Sequence, residues 1–126
     1  MTGREIALQA ARAADEKQAE RIVVYDLRGL SDVADYFVLA TVQSRAQARA
    51  VLREVEEVLR KEGARPMARE GSNDAQWQLL DYVDAVIHVF SAELREYYNL
   101  ESLWGDAPKL DWNASENVRS NFKMRR

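Results

Sequence analysis

No cysteine occurs among the 126 residues, which removes disulfides, thiolate nucleophiles and cysteine-built zinc or iron–sulfur sites. Histidine occurs once, so a metal site would have to be assembled from carboxylates around a single imidazole. Long apolar runs are missing too: Ala85-Val86-Ile87 stops at His88 and resumes only for Val89-Phe90, and nothing is long enough to span a bilayer. The amino terminus carries Glu5, Asp15, Glu16 and Glu20, unlike an acid-poor transit peptide, and has no signal-type apolar core. A cytoplasmic protein is the expectation. There is also no Gly-x-Ser-x-Gly elbow, Walker loop, dinucleotide-binding glycine fingerprint or His-Glu-x-x-His motif.

What is present suits one ordinary domain. Apolar residues make up 47% of the chain, enough to build a core and to argue against disorder. The net charge of -3 does not suggest a nucleic-acid binder. Its distribution is uneven. Residues 109–126 hold Lys109, Arg119, Lys123, Arg125 and Arg126 against Asp111 and Glu116, an excess of three positive charges that leaves the rest at -6. A basic terminus of this kind is more often a solvated tail than a phosphate contact. The expected organisation is a domain over 1–108 and a flexible basic tail over 109–126.

Thr2-Gly3-Arg4-Glu5 reads as a capping box opening an alanine-rich helix to about Lys17. Arg21 to Leu27 and Tyr36 to Val42 read as strands, the first with a β-branched run. Ser44-Arg45-Ala46-Gln47 is a second capping box. After it Ala48, Val51, Leu52, Val55, Val58 and Leu59 recur at steps of three and four, while Arg49, Arg53, Glu56, Arg60 and Lys61 face away. Glu56 and Glu57 are spaced to pair with Arg60 and Lys61, Gly63 to end this helix, and Pro66 to prevent its resumption. An edge strand is expected over Pro66 to Glu70, followed by a turn at Gly71–Asp74. A hairpin of Gln76–Leu80 and Ala85–Phe90 comes next, then a short helix capped by Ser91. The order α-β-β-α-β-β-β-α implies a single α/β domain with a mixed sheet flanked by helices.

Signals for chemistry are few. His88 lies inside the most apolar strand, where a hydrogen-bonded core histidine is commoner than a catalytic base. The pairs Asp32/Asp35 and Asp81/Asp84 could supply oxygen ligands, but both flank strand ends, where aspartate commonly forms turns. Gly71-Ser72 is similar to the Gly-Ser of nucleotidyltransferases, yet no Asp-x-Asp follows to hold two metal ions. Aromatic residues are the stronger lead. Trp77, Tyr82, Phe90, Tyr97, Tyr98, Trp104 and Trp112 crowd the last half of the chain, and Trp and Tyr anchor interfaces as readily as cores. Trp77 and Leu79 share one strand face, opposite Gln76 and Gln78, so that face needs cover from a helix or a partner.

Three segments carry a resemblance. They are Asp35-Tyr36-Phe37-Val38-Leu39-Ala40-Thr41 leading into Ser44, then Trp77 through Phe90, and then Arg95-Glu96-Tyr97-Tyr98-Asn99-Leu100-Glu101-Ser102-Leu103-Trp104-Gly105-Asp106-Ala107-Pro108. In this order they resemble the ribosomal silencing factor S (Iojap-related) family across roughly residues 4–108. The resemblance implies a nucleotidyltransferase-like fold without the catalytic carboxylates, no enzyme activity and no cofactor. It further implies binding to protein fourteen of the large ribosomal subunit, steric obstruction of subunit joining, and repression of translation when nutrients are short. By motif, the docking surface would involve Trp77, Leu79, Asp81, Tyr82, Tyr98, Leu100, Leu103 and Trp104. Val83 stands where many relatives have glycine. A homodimer of the free protein is expected through apolar surface near that site. Two other readings are a large-subunit assembly factor and a metal-dependent nucleotidyltransferase-like enzyme using Asp81, Asp84 and His88.

Overall fold

The computed structural model describes residues 1–72, 75–98, 102 and 105–113. Helix α1 spans Gly3–Glu16 and begins as its sequence predicts. The Glu5 amide donates to Thr2 Oγ1 at 3.1 Å, and the Thr2 amide donates to the Glu5 carboxylate at 2.8 Å. Its inner side is nearly all alanine: Ala7, Ala10, Ala11 and Ala14 are fully buried, and such short side chains let the helix lie close to the sheet. Gly3 is part of that closeness, because a Cβ there would meet Asp84 Cβ at 2.7 Å.

Helix α2, Arg45–Lys61, buries Ala48, Val51, Val55 and Leu59. Its capping box is only half formed. Ser44 Oγ accepts from the Gln47 amide at 3.0 Å, but Gln47 does not return to Ser44. The Gln47 side chain accepts from the Gln43 amide and donates to the carbonyls of Lys17 and Gln18, tying the end of α1 to the start of α2. The expected one-turn pairs are also replaced. Glu57 pairs with Arg60 at 2.7 Å, and Glu56 reaches across to Arg69, because a carboxylate on this face finds a guanidinium on the neighbouring strand. Gly63, at φ 91°, ends the helix in the left-handed region as expected.

The strands β1 (Glu20–Asp26), β2 (Tyr36–Val42), β3 (Ala68–Glu70), β4 (Trp77–Asp81), β5 (Ala85–Ser91) and β6 (Lys109–Leu110) form one mixed sheet in the order β3-β4-β5-β2-β1-β6. Only β2 and β5 run parallel; the other neighbours are antiparallel. The short charged strand β3 lies at an edge, where its residue types are tolerated. Strand β5 is interior, as its apolar run requires. The short helix α3, Ala92–Tyr98, follows with Ser91 Oγ accepting from the Leu94 amide at 3.1 Å.

The domain does not stop at Pro108. Lys109–Leu110 pair with β1, the Trp112 indole donates to the Ile22 carbonyl at 3.2 Å, and Arg12 donates to the Trp112 carbonyl at 3.1 Å. The first five residues of the expected tail thus pack on the fold, because Trp112 finds partly buried cover beside the helical core. Residues 114–126 lie outside the described ones.

Two cores result, one on each face of the sheet. One joins α1 and α2 to Val24, Val38, Ala40, Leu80, Ile87 and Val89. The other gathers Tyr25, Leu27, Phe37, Leu39, Val86 and Phe90, with Leu94 of α3 and Ala107 against it.

Candidate docking surface

Alternation along β4 sends Trp77 and Leu79 to the face away from α1 and α2. Directly across the ladder stand Phe90 and His88 of β5. The Trp77 indole N–H donates to His88 Nδ1 at 3.1 Å, which requires that nitrogen to be unprotonated. Phe37 meets the imidazole edge-on at 4.7 Å between centroids, and the Phe90 ring lies nearly parallel to it at 5.9 Å. Burial pushes the His88 pKa down to about 4, so the ring is neutral around pH 7. The imidazole therefore works as a hydrogen-bond acceptor inside an aromatic cluster. Trp77 is held at one edge by this bond and lies 5.1 Å from the Phe90 ring, yet 37% of it stays exposed.

Behind this cluster sits a charge that sequence reasoning missed. Arg95 of α3 is fully buried, donates to Thr41 Oγ1 at 2.7 Å and places its guanidinium 5.8 Å from the Phe90 ring centre. A guanidinium held against an aromatic face gains cation–π attraction along with the hydrogen bond. It anchors α3 onto β2 and β5. No local sequence signal marks it, since its hydrogen-bond partner Thr41 lies 54 residues earlier in the chain.

The residues of the expected docking set separate. Trp77 and Leu79 come together, Leu79 half-buried. Asp81 follows on the same face at the end of β4, and its Oδ1 accepts from the Val83 amide at 2.8 Å, a turn-forming bond. Tyr82 lies with Gln78 and Leu80 on the opposite face and is 6% exposed in the core under α1 and α2. Among the described residues its hydroxyl finds no hydrogen-bond partner, and burial raises its pKa to about 12. Gln78, on the same face as Tyr82, is likewise buried. Tyr98 is the last residue of α3. Leu100, Leu103 and Trp104 lie outside the described residues.

Among the described residues no three of His, Cys, Asp and Glu gather as metal ligands. The Asp81 carboxylate is engaged in its turn, the Asp84 carbonyl accepts from the amides of Asp35 and Tyr36, and His88 is buried on the Trp77 side. The arrangement presents a rigid aromatic edge and apolar contact area.

Comparison with known proteins places the chain in a family. A family model described as ribosomal silencing factor during starvation matches residues 1–126. The chain belongs to the ribosomal silencing factor family. It is 43% identical over 111 residues to a protein of Bacillus subtilis named ribosomal silencing factor RsfS, covering 88% of this chain and 94% of that one. It is 32% identical over 108 residues to the chloroplastic protein Iojap of Zea mays, covering 83% of this chain but 46% of the plant protein. Two solved structures share the family fold. One, from Chromobacterium violaceum, has a TM-score of 0.77 at 30% identity and covers 83% of this chain and 88% of its own. The other, from Bacillus halodurans, has a TM-score of 0.74 at 35% identity, covering 86% and 98%. The expected mixed α/β domain is the architecture of these silencing-factor relatives.

Proposed function

We propose that this silencing-factor family member docks on the large ribosomal subunit through protein fourteen and blocks joining of the small subunit by occupying the shared interface. The observation that carries this reading is Trp77: a large indole, oriented by His88 and packed against Phe90, left more than one-third exposed on a sheet face. A pre-oriented tryptophan contributes contact area at little entropic cost when a partner covers it. The names of the relatives supply the ribosome, and steric exclusion supplies a mechanism that needs no catalysis. Leu79 and Asp81 extend the surface along β4, and Tyr98 of the adjoining α3, with Leu100, Leu103 and Trp104 after it, completes the docking set carried by the family motif. Tyr82 supports the surface from the opposite side of the sheet.

Sucrose-gradient sedimentation of separated subunits with added protein tests this. The whole-ribosome peak should shrink, and the protein should travel with large subunits. Trp77→Ala should weaken that association by about 2 kcal/mol or more, roughly 30-fold, while the domain stays folded. An undiminished peak with the factor bound at saturation removes steric silencing and favours large-subunit assembly at the same site.

The free protein is proposed to self-associate. Met1, Leu30, Val33, Met67 and Val83 are exposed around one end of the sheet, where the β4–β5 turn meets the β1–β2 connection and the start of α1. Light scattering that returns a monomer mass at tens of micromolar protein would end this idea.

A further inference from the structure

We infer that the groove between α2 and the β3–β4 edge is a binding site for the phosphate backbone of structured RNA, adjoining the Trp77 surface at Leu79. The groove has a volume of about 760 Å³. One wall is α2, contributing Arg49, Arg53 and Arg60; the other is the segment through β3, contributing Arg65 and Arg69. Three glutamates also line it, which leaves an excess of two positive charges inside a protein whose net charge is -3. Two of those glutamates are already engaged, Glu57 by Arg60 and Glu56 by Arg69. Arg49, Arg53 and Arg65 have no hydrogen bond or ion pair among the described residues.

Arg49 and Arg53 stand one turn apart on α2, before its first carboxylate, Glu54, so the helix offers them no pairing acid on its N-terminal side. An anion lying along this groove would pair with the guanidinium groups of Arg49, Arg53 and Arg65. The side chains are all arginine, whose planar fork matches the oxygens of a phosphodiester, and their separation by one helical turn suits a repeating polyanion better than a single small ion.

Fluorescence anisotropy with a labelled RNA hairpin, its stem about 16 base pairs long, tests the inference on the full chain. Arg49→Glu, Arg53→Glu and Arg65→Glu combined should lower affinity at least tenfold at roughly 50 mM salt. Between roughly 50 and 200 mM salt the dependence should flatten by about two to three units of log–log slope, as expected for three lost phosphate contacts. Should the reversal unfold the domain, judged by circular dichroism, the three alanine replacements carry the test, with a smaller loss of affinity. Binding to isolated ribosomal protein fourteen should be unchanged in the variant, so failure here is distinguishable from failure of the docking reading. Absence of RNA binding by the unaltered protein at low salt overturns the proposal, as does a variant that binds like the parent. Equal affinity for a poly-glutamate peptide, lost in the same variant, would overturn it in favour of an acidic protein partner.

Discussion

The two faces of the sheet are built from different materials. Under α1 and α2 the core is mostly aliphatic and small, with alanine on α1, Val24, Val38, Val51, Val55 and Leu59 filling the layer, and Tyr36 and Tyr82 as its buried aromatics. On the other face Tyr25, Phe37 and Phe90 dominate, and the buried polar groups His88 and Arg95 are threaded among them. The first face is closed by two long helices; the second has, among the described residues, only seven-residue α3 and a carboxy-terminal segment, and leaves Trp77 partly exposed. The difference separates roles. The aliphatic layer contributes stability through close packing, and the aromatic layer holds the proposed recognition surface in a fixed orientation.

The largest expected effect therefore lies on the aliphatic face. Leu59→Ala, at a fully buried position, should destabilise the domain by about 2–5 kcal/mol in chemical denaturation, with little change in docking by the folded fraction. A loss below about 1 kcal/mol would mean that this layer is loosely packed.

The aromatic face should be the pH-sensitive one. Its fold favours neutral His88, so the unfolded chain takes up a proton first as pH falls below 6.5. Stability attributable to this group should decline from there until His88 itself protonates near pH 4, by at most roughly 3 kcal/mol. Urea midpoints measured at several pH values, compared with those of His88→Phe, isolate the contribution. An identical slope in the variant would assign the acid response elsewhere.

The smallest effect belongs to the turn that joins β4 to β5. Val83 adopts φ 73°, a conformation that strains a β-branched side chain. Val83→Gly should relieve that strain against the greater entropy of the unfolded glycine, for a net gain of about 0.5–1 kcal/mol. A lowered melting temperature would show that the exposed valine makes contacts worth more than the strain.

Much of the architecture was legible in residue order. Thr2 and Glu5 set the start of α1, the three-and-four spacing from Ala48 to Leu59 defined α2, and Gly63 its end. The β4–β5 hairpin and the interior place of β5 followed from alternation and from an apolar run. The candidate site was legible in part. Trp77 and Leu79 share a face as alternation requires, but alternation also sets Tyr82 with Gln78 and Leu80, and the family motif, being linear, carried it into the docking set regardless. Gln47 was misread for another reason: a capping glutamine can turn to whichever amide or carbonyl lies nearest, and here α1 provides two.

Sequence by itself determined the elements whose causes lie within a few residues: caps, helix stripes, strand alternation, turn residues and the absence of catalytic motifs. Tertiary structure decided everything that depended on a partner far along the chain. Only the fold brings Trp77 to His88, closes Arg95 onto Thr41, sets Glu56 against Arg69 and lays Trp112 beside Ile22. The physical reason is range. Backbone sterics and helical periodicity act over one or two turns, whereas the burial of a polar group is tolerable only where a distant segment supplies its hydrogen bond.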